Sequence, residues 1–301
     1  MRQTAHNLRG FTLIEMIMVI TLTGILAGMV AVFIKAPVDS YIDMSRRAEL
    51  SDIADTAVRR MTRDIRAALP NSVRNPVDSS DQCIEFMPSR SGGRYRAEQT
   101  VTPTGDILDF LAIDASFDML GLNSNLPTSA QIAAGDVVVV YNDGSASGNA
   151  YTGLNAIQIA AGGVVAPGDT AGTTKLTFVA AAGGTLFVRK LLPAASPSNR
   201  FQVMSSTEQV VSYACSGGKL YRHSRNITAR TASWDQPATC AAMSNAPTAS
   251  AILASSVSSC SILYDSTSGT GRFGIVSVSL KLTQSGESVN LYHQVHVDNS
   301  P

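Results

Sequence analysis

Few residues in this chain have the type and spacing to do chemistry, and the hardest to explain by packing is Glu15. It is the single ionisable group in the 24 residues from Phe11 to Ile34. As a helix that run spans about 36 Å, enough to cross a bilayer. An acid placed there costs about 3 kcal/mol even on mild insertion scales, and intramembrane acids are rare and usually functional. Glu15 therefore calls for a counter-charge, and the uncut chain, in which the Phe11 nitrogen is a neutral amide, offers it no local partner.

The other candidates are weaker. Cys83, Cys215, Cys240 and Cys260 permit three disulfide pairings. None stands at Cys-x-x-Cys spacing or close in sequence to a histidine, so a metal site has little support. His293 and His296 are three apart on an expected strand, where alternation turns them to opposite faces. Arg59, Arg60, Arg63 and Arg66 read better as a solvated helix face than as a binding patch. The run Gly269-x-Gly271-x-x-Gly274 fits a dinucleotide pattern but leads into a strand instead of opening a helix. Gly217-Gly218-Lys219 lacks the rest of a phosphate loop, and Asn226-Ile227-Thr228 matches a glycosylation acceptor that is common by chance. No nucleophile, base and orienting group can be assembled, so neither catalysis, nor a cofactor, nor a small-molecule substrate is expected.

These residues sit on a simple scaffold. Lys plus Arg equals Asp plus Glu at 23 each, and residues 71–301 hold 14 basic against 16 acidic side chains. That balance gives no case for a nucleic-acid partner. Arg2 and Arg9 precede the apolar run while Lys35, Asp39 and Asp43 follow it, which places the leader inside and the rest outside. Gly24 and Gly28, with Thr21 and Ala31, form a small-residue face that suits close helix approach or local loosening equally well. Pro37 should bend the helix just past the membrane. An apolar stripe then recurs through Leu50, Ile53, Ala54, Ala57, Met61, Ile65, Ala68 and Leu69 until Pro70 ends it.

After residue 69 the composition turns to Ser, Thr, Gly and Ala with short β-branched runs. Strands are expected at 83–87, 107–111, 137–141, 175–178, 185–188, 201–204, 210–215, 219–222, 260–264, 273–282 and 289–297. Hairpins turn at Ser216-Gly217-Gly218 and through Gln284-Ser285-Gly286-Glu287. Residues 142–152, 162–174 and 239–256 read as long loops. The expected architecture is α+β: a long amino-terminal helix, half membrane and half amphipathic, packed on a mostly antiparallel β head. Its parts are a leader (1–10), a membrane helix (11–34), an amphipathic helix (35–69) and a head (70–301).

The junction Arg9-Gly10-Phe11-Thr12-Leu13-Ile14-Glu15, a polar leader running straight into a retained apolar helix, resembles the class III leader of type IV prepilins and type II secretion pseudopilins. That resemblance implies a pilin-like fold and cleavage after Gly10 by a prepilin peptidase, with methylation of the new terminus at Phe11. It also implies that Glu15 pairs with the amino terminus of an adjacent subunit; cleavage would make the counter-ion. Further residues narrow the likeness to the MshO class of minor pilins of the mannose-sensitive haemagglutinin (MSHA) pilus. These are 30–41, the helix ending Ala-Leu-Pro-Asn-Ser-Val-Arg, and Gly92-Gly93-Arg94-Tyr95-Arg96. The strand at 260–264 is shared with J-type pseudopilins. The implied setting is the inner membrane of a Gram-negative cell, with a periplasmic head and other major and minor pilins as partners. The related heads imply Cys215 paired with Cys260, leaving Cys83 with Cys240. The function expected is that of a structural minor pilin that helps start the filament, in its tip or priming complex; the alternatives are a J-like pseudopilin of a type II secretion system and a pilus-borne adhesin or DNA-binding subunit.

Overall fold

The long apolar run and the amphipathic stripe belong to one helix. The computed structural model describes residues 10–100, 104–180, 186–227, 236–243, 247–266 and 272–301. Helix α1 covers Leu13–Arg66, 54 residues, with Pro37 inside it. It is the one helix among the described residues long and apolar enough to cross a membrane. The chain divides into two compact units, Met1–Leu50 and Ser51–Pro301.

In the first unit the helix is exposed from Leu13 through Val38. The Thr21 hydroxyl donates to the Ile17 carbonyl at 2.9 Å and that of Thr23 to the Val19 carbonyl at 2.6 Å. These bonds let polar side chains sit in an apolar helix without open hydrogen-bonding groups. A Cβ added to Gly24 or Gly28 would meet nothing within 4 Å, so that face is open to close approach.

In the second unit the stripe Ala54, Ala57, Met61 and Ile65 is buried, as the three- and four-residue spacing requires. The helix stops at Arg66 instead of reaching 69. The Ala68 N–H bonds Ile65 in a tightened last turn, Ala68 bridges Pro88, and the Leu69 N–H reaches the Met87 carbonyl at 2.7 Å. Pairing with the chain after the first strand takes over these donors before Pro70 can interrupt the helix.

Among the described residues the head carries thirteen strands in three antiparallel sheets. β1 (Cys83–Phe86), β8 (Val210–Ser216), β9 (Lys219–Arg225) and β10 (Ala249–Ala254) form the first, in the order β1-β8-β9-β10. The second, in the order β2-β7-β4-β5-β6-β3, is built from β2 (Ser91–Arg94), β3 (Ser116–Leu120), β4 (Val137–Val140), β5 (Ala156–Val165), β6 (Thr173–Phe178) and β7 (Arg200–Met204). β11 (Val257–Asp265), β12 (Phe273–Gln284) and β13 (Glu287–Asp298) make the third, with β12 in the middle. A short helix, α2, covers Cys240–Met243. The fold is α+β, a long apolar helix followed by an antiparallel head.

Four consecutive valines show how the core is divided. β4 is buried on both faces, and alternation sends Val138 and Val140 to a cluster with Phe117, Phe178 and Phe201, and Val137 and Val139 to one with Leu69, Met87 and Met204. The Phe117 ring meets Phe201 edge-on at 5.3 Å. Two-residue turns close the hairpins: Gly217 and Gly218 at φ 56° and 72°, and Ser285 and Gly286 at 51° and 89°, adopt the left-handed conformation that matches strand twist.

The expected strand at 107–111 is a loop. Its backbone is held instead by carboxylates, the Asp109 N–H donating to Asp114 Oδ2 at 2.8 Å and the Leu111 N–H to Asp109 Oδ1 at 2.7 Å. Residues 186–188 are also not a strand, and Thr185 lies outside the described residues. Conversely, the expected loop at 239–256 holds α2 and β10, and the one at 162–174 contains the end of β5.

Two disulfides cross-link the head, one of them joining two sheets. Cys215 of β8 is bonded to Cys260 of β11, and Cys83 of β1 to Cys240 of α2. The Asn75 side chain reinforces the first junction, donating to the carbonyls of Cys83 at 2.8 Å and Ile262 at 2.9 Å and accepting the Tyr264 N–H at 2.8 Å. The Cys215–Cys260 bridge closes a separation of 45 residues. The double variant Cys215→Ser/Cys260→Ser should therefore lower unfolding stability by about 2–4 kcal/mol. Urea unfolding of the detergent-solubilised chain checks this, and an unchanged midpoint would contradict it.

Candidate functional site

The start of α1 explains how the Glu15 carboxylate is held. Gly10, Phe11 and Thr12 precede the first helical turn and are exposed, Phe11 at 80%, so the Gly10–Phe11 peptide lies in non-helical, accessible chain. Thr12 stands at the N-cap. Its hydroxyl accepts the Glu15 N–H at 3.3 Å, while Glu15 Oε2 accepts both the Thr12 N–H and the Thr12 hydroxyl at 3.3 Å. This is a capping box, in which the cap side chain and the acid three residues on satisfy each other's backbone donors. The acid also complements the positive end of the helix dipole.

That geometry gives Glu15 hydrogen-bond partners in the uncut chain, from Thr12, that the sequence reading did not foresee, while supplying no counter-charge. Sequence reasoning missed Thr12. Its signal was present as the Thr-x-x-Glu spacing that marks a helix start. The arrangement leaves Glu15 exposed on a pre-set rotamer, able to take a further cation beside the Thr12 donors.

Residues 6–31 match the prokaryotic N-terminal methylation motif. The amino terminus is that of a type IV pilin-like prepilin. Such a motif implies processing by a prepilin peptidase and assembly with other pilins, and together with the single apolar helix it fits membrane anchoring. The match spans the junction Gly10–Phe11, the capping box and most of the apolar run, and ends at residue 31, ahead of the head. Comparison of the chain with curated proteins and with solved structures returned no match.

The remaining candidates are spread over the head. His293 is half-buried and His296 exposed on β13, on opposite faces as alternation requires. Among the described residues no group of three His, Cys, Asp or Glu side chains is placed to hold a metal ion. Of the dinucleotide-like run, Gly269 and Gly271 lie outside the described residues, and Gly274 is inside β12, where a Cβ would strike the Tyr264 ring at 2.4 Å. Of the glycosylation-type triplet, Thr228 also lies outside the described residues. Arg59 pairs with Asp55 at 2.6 Å, four residues back on the helix.

Sequence spacing also gave no sign of the head's ionic knots. Glu85 on β1 is fully buried and accepts from Arg74 Nη2 at 2.7 Å and Nε at 3.0 Å through one oxygen, and from Arg225 through the other. The Arg74 guanidinium lies 3.4 Å from the centre of the Tyr151 ring, whose hydroxyl donates to the Ser72 carbonyl at 3.0 Å. Burial pushes the Tyr151 phenol well above its ordinary range. A second knot anchors the helix end within the same unit: Asp64 Oδ2 accepts from the Tyr213 hydroxyl at 2.7 Å and from Arg222 Nε at 2.8 Å, and Arg222 also grips Glu208 at 2.6 Å.

Proposed function

We propose that this chain is a minor pilin of a type IV, MSHA-like pilus, cut after Gly10 at the inner membrane and carrying an N-methylated Phe11 on its mature end. The observation that carries the reading is the methylation motif at residues 6–31, with Glu15 as the single ionisable group in the run from Phe11 to Ile34. The span remains in the inner membrane until assembly, and the head folds in the periplasm, where disulfides persist. In the filament the Glu15 carboxylate neutralises the amino terminus of a neighbouring subunit. The role is structural, not catalytic.

A head of about 230 residues is bulky for the repeating unit of a thin filament, in which every copy presents the same contacts at a fixed repeat. It suits a subunit present once or a few times, in the complex that starts the filament. The resemblance of residues 30–41 and 92–96 to MshO-class subunits supports the same placement. Deleting the protein should leave cells with few or no surface filaments, restored by the intact chain supplied in trans; electron microscopy of pili per cell checks it. Normal pilus number and length would overturn the priming role. Normal pili with failed protein secretion would assign the chain to a type II secretion filament instead.

A further inference from the structure

A groove of about 440 Å³ runs between β13 and the last turns of α1, from Asp55 to Arg66, all of these residues within the second compact unit. Its helix wall is Asp55, Val58, Arg59, Thr62, Arg63 and Arg66, one continuous stripe at three- and four-residue spacing. The opposite wall is three consecutive strand residues, Leu291, Tyr292 and His293. Successive strand side chains point to opposite faces, so a groove touching all three runs along the strand's edge. That edge is free: among the described residues β13 pairs only with β12. A long, unpaired edge is a ready template for one more strand.

Charge and an open hydroxyl give the occupant's chemistry. Asp55 is neutralised by Arg59, whereas Arg63 and Arg66 have no ion-pair partner among the described residues. Thr62 is only 8% exposed, and its hydroxyl has no hydrogen-bond partner, unlike those of Thr21 and Thr23 on the same helix, which bond to carbonyls one turn back. A buried hydroxyl left open is costly unless something enters to use it. Val58 and Leu291 supply apolar walls, and Tyr292, 64% exposed, stands at the rim as an aromatic anchor. The stripe from Asp55 to Arg66 is about 16 Å long, the length of about five residues of extended chain.

We propose that this groove is a docking site for an acidic, extended peptide segment of another protein, which adds as a strand to the free edge of β13. Its carboxylates pair with Arg63 and Arg66, its aliphatic side chains enter between Val58 and Leu291, and its backbone bonds both β13 and the Thr62 hydroxyl. Arginine suits this because its planar fork binds a carboxylate through two parallel bonds. Main-chain pairing supplies affinity and the charged wall supplies selection, the mode of strand addition to a sheet edge.

The test uses the full chain in detergent and a short fluorescent peptide alternating Glu with Val and Thr, read by anisotropy. The peptide should bind saturably. A version with Gln for Glu should bind about tenfold more weakly, as should the original peptide to Arg63→Gln/Arg66→Gln. Backbone N-methylation of the peptide should also remove binding, and Thr62→Val should weaken it about threefold with circular dichroism unchanged. Equal binding of the Glu and Gln peptides, unchanged binding to the double arginine variant, or absence of saturable binding would overturn the proposal. So would full competition by the acidic polysaccharide alginate, which would assign the face to glycans. Because the readout is binding to the isolated protein, its outcome is independent of whether the chain proves to be a pilin.

Discussion

Glu15→Gln should abolish filament incorporation while leaving cleavage and membrane insertion intact. The choice of Gln follows from the capping box, because an amide oxygen still accepts the Thr12 N–H but carries no charge for a neighbour's ammonium. An ammonium left unpaired in a low-dielectric filament core costs several kcal/mol, and each 1.4 kcal/mol is tenfold in an assembly equilibrium. Incorporation, read by immunoblot of sheared pili, should therefore fall by more than about tenfold. Glu15→Val should behave likewise and additionally lose the cap, worth about 1 kcal/mol of helix stability. Wild-type incorporation of Glu15→Gln with failure of Glu15→Val would reduce Glu15 to a helix cap, and wild-type incorporation of both would remove its role in assembly.

Glu85→Ala should be the most damaging single change in the head. It leaves Arg74 and Arg225, whose side chains are only 14% and 13% exposed, facing each other without the carboxylate between them. Breaking a buried pair by removing one partner costs about 3–5 kcal/mol, far more than a pair of that kind contributes net. For a unit of this size that is a fall of about 10 °C in the unfolding midpoint. Replacing Glu85, Arg74 and Arg225 together by Leu and Met should recover much of the loss, because the desolvation cost disappears with the charges. Thermal unfolding followed by circular dichroism checks both arms. A loss under about 1 kcal/mol for Glu85→Ala would show the knot to be wet and loosely held.

What the sequence made legible follows the strength of local signals. The β12–β13 hairpin was readable because two alternating runs flank a Ser-Gly pair that must turn left-handed, and β4 because four valines in a row suit no exposed element. β2 was not, because Ser-Gly-Gly-Arg carries no strand propensity. Its glycines are demanded by tertiary packing, a Cβ on Gly92 meeting the Phe201 carbonyl at 2.8 Å and one on Gly93 the Phe201 ring at 2.9 Å. β3 hid for a related reason, since its buried Asp118 breaks the apolar pattern and is held by Arg96, 3.6 Å away, and by the N–H groups of Asp106 and Asp169 at 3.3 and 3.1 Å. β10 is rich in small residues and mostly exposed, so neither hydrophobicity nor alternation announced it.

At the amino terminus, Gly10, Phe11 and Glu15 stood out because a lone acid in an apolar run is conspicuous whatever the fold. Thr12 was hidden by that same run, which reads as membrane before it reads as a helix start. The Glu85 knot could not be read at all, since its partners lie 11 and 140 residues away and only the folded sheets bring them together.

The central claim is that the chain matures as a prepilin, and mass spectrometry of the amino-terminal peptide from membranes tests it most directly. The account predicts a peptide beginning at Phe11 and heavier by one methyl group on its amino nitrogen. A mature chain that keeps Met1–Gly10, or one cut beyond the apolar run so that Glu15 is lost, would contradict it.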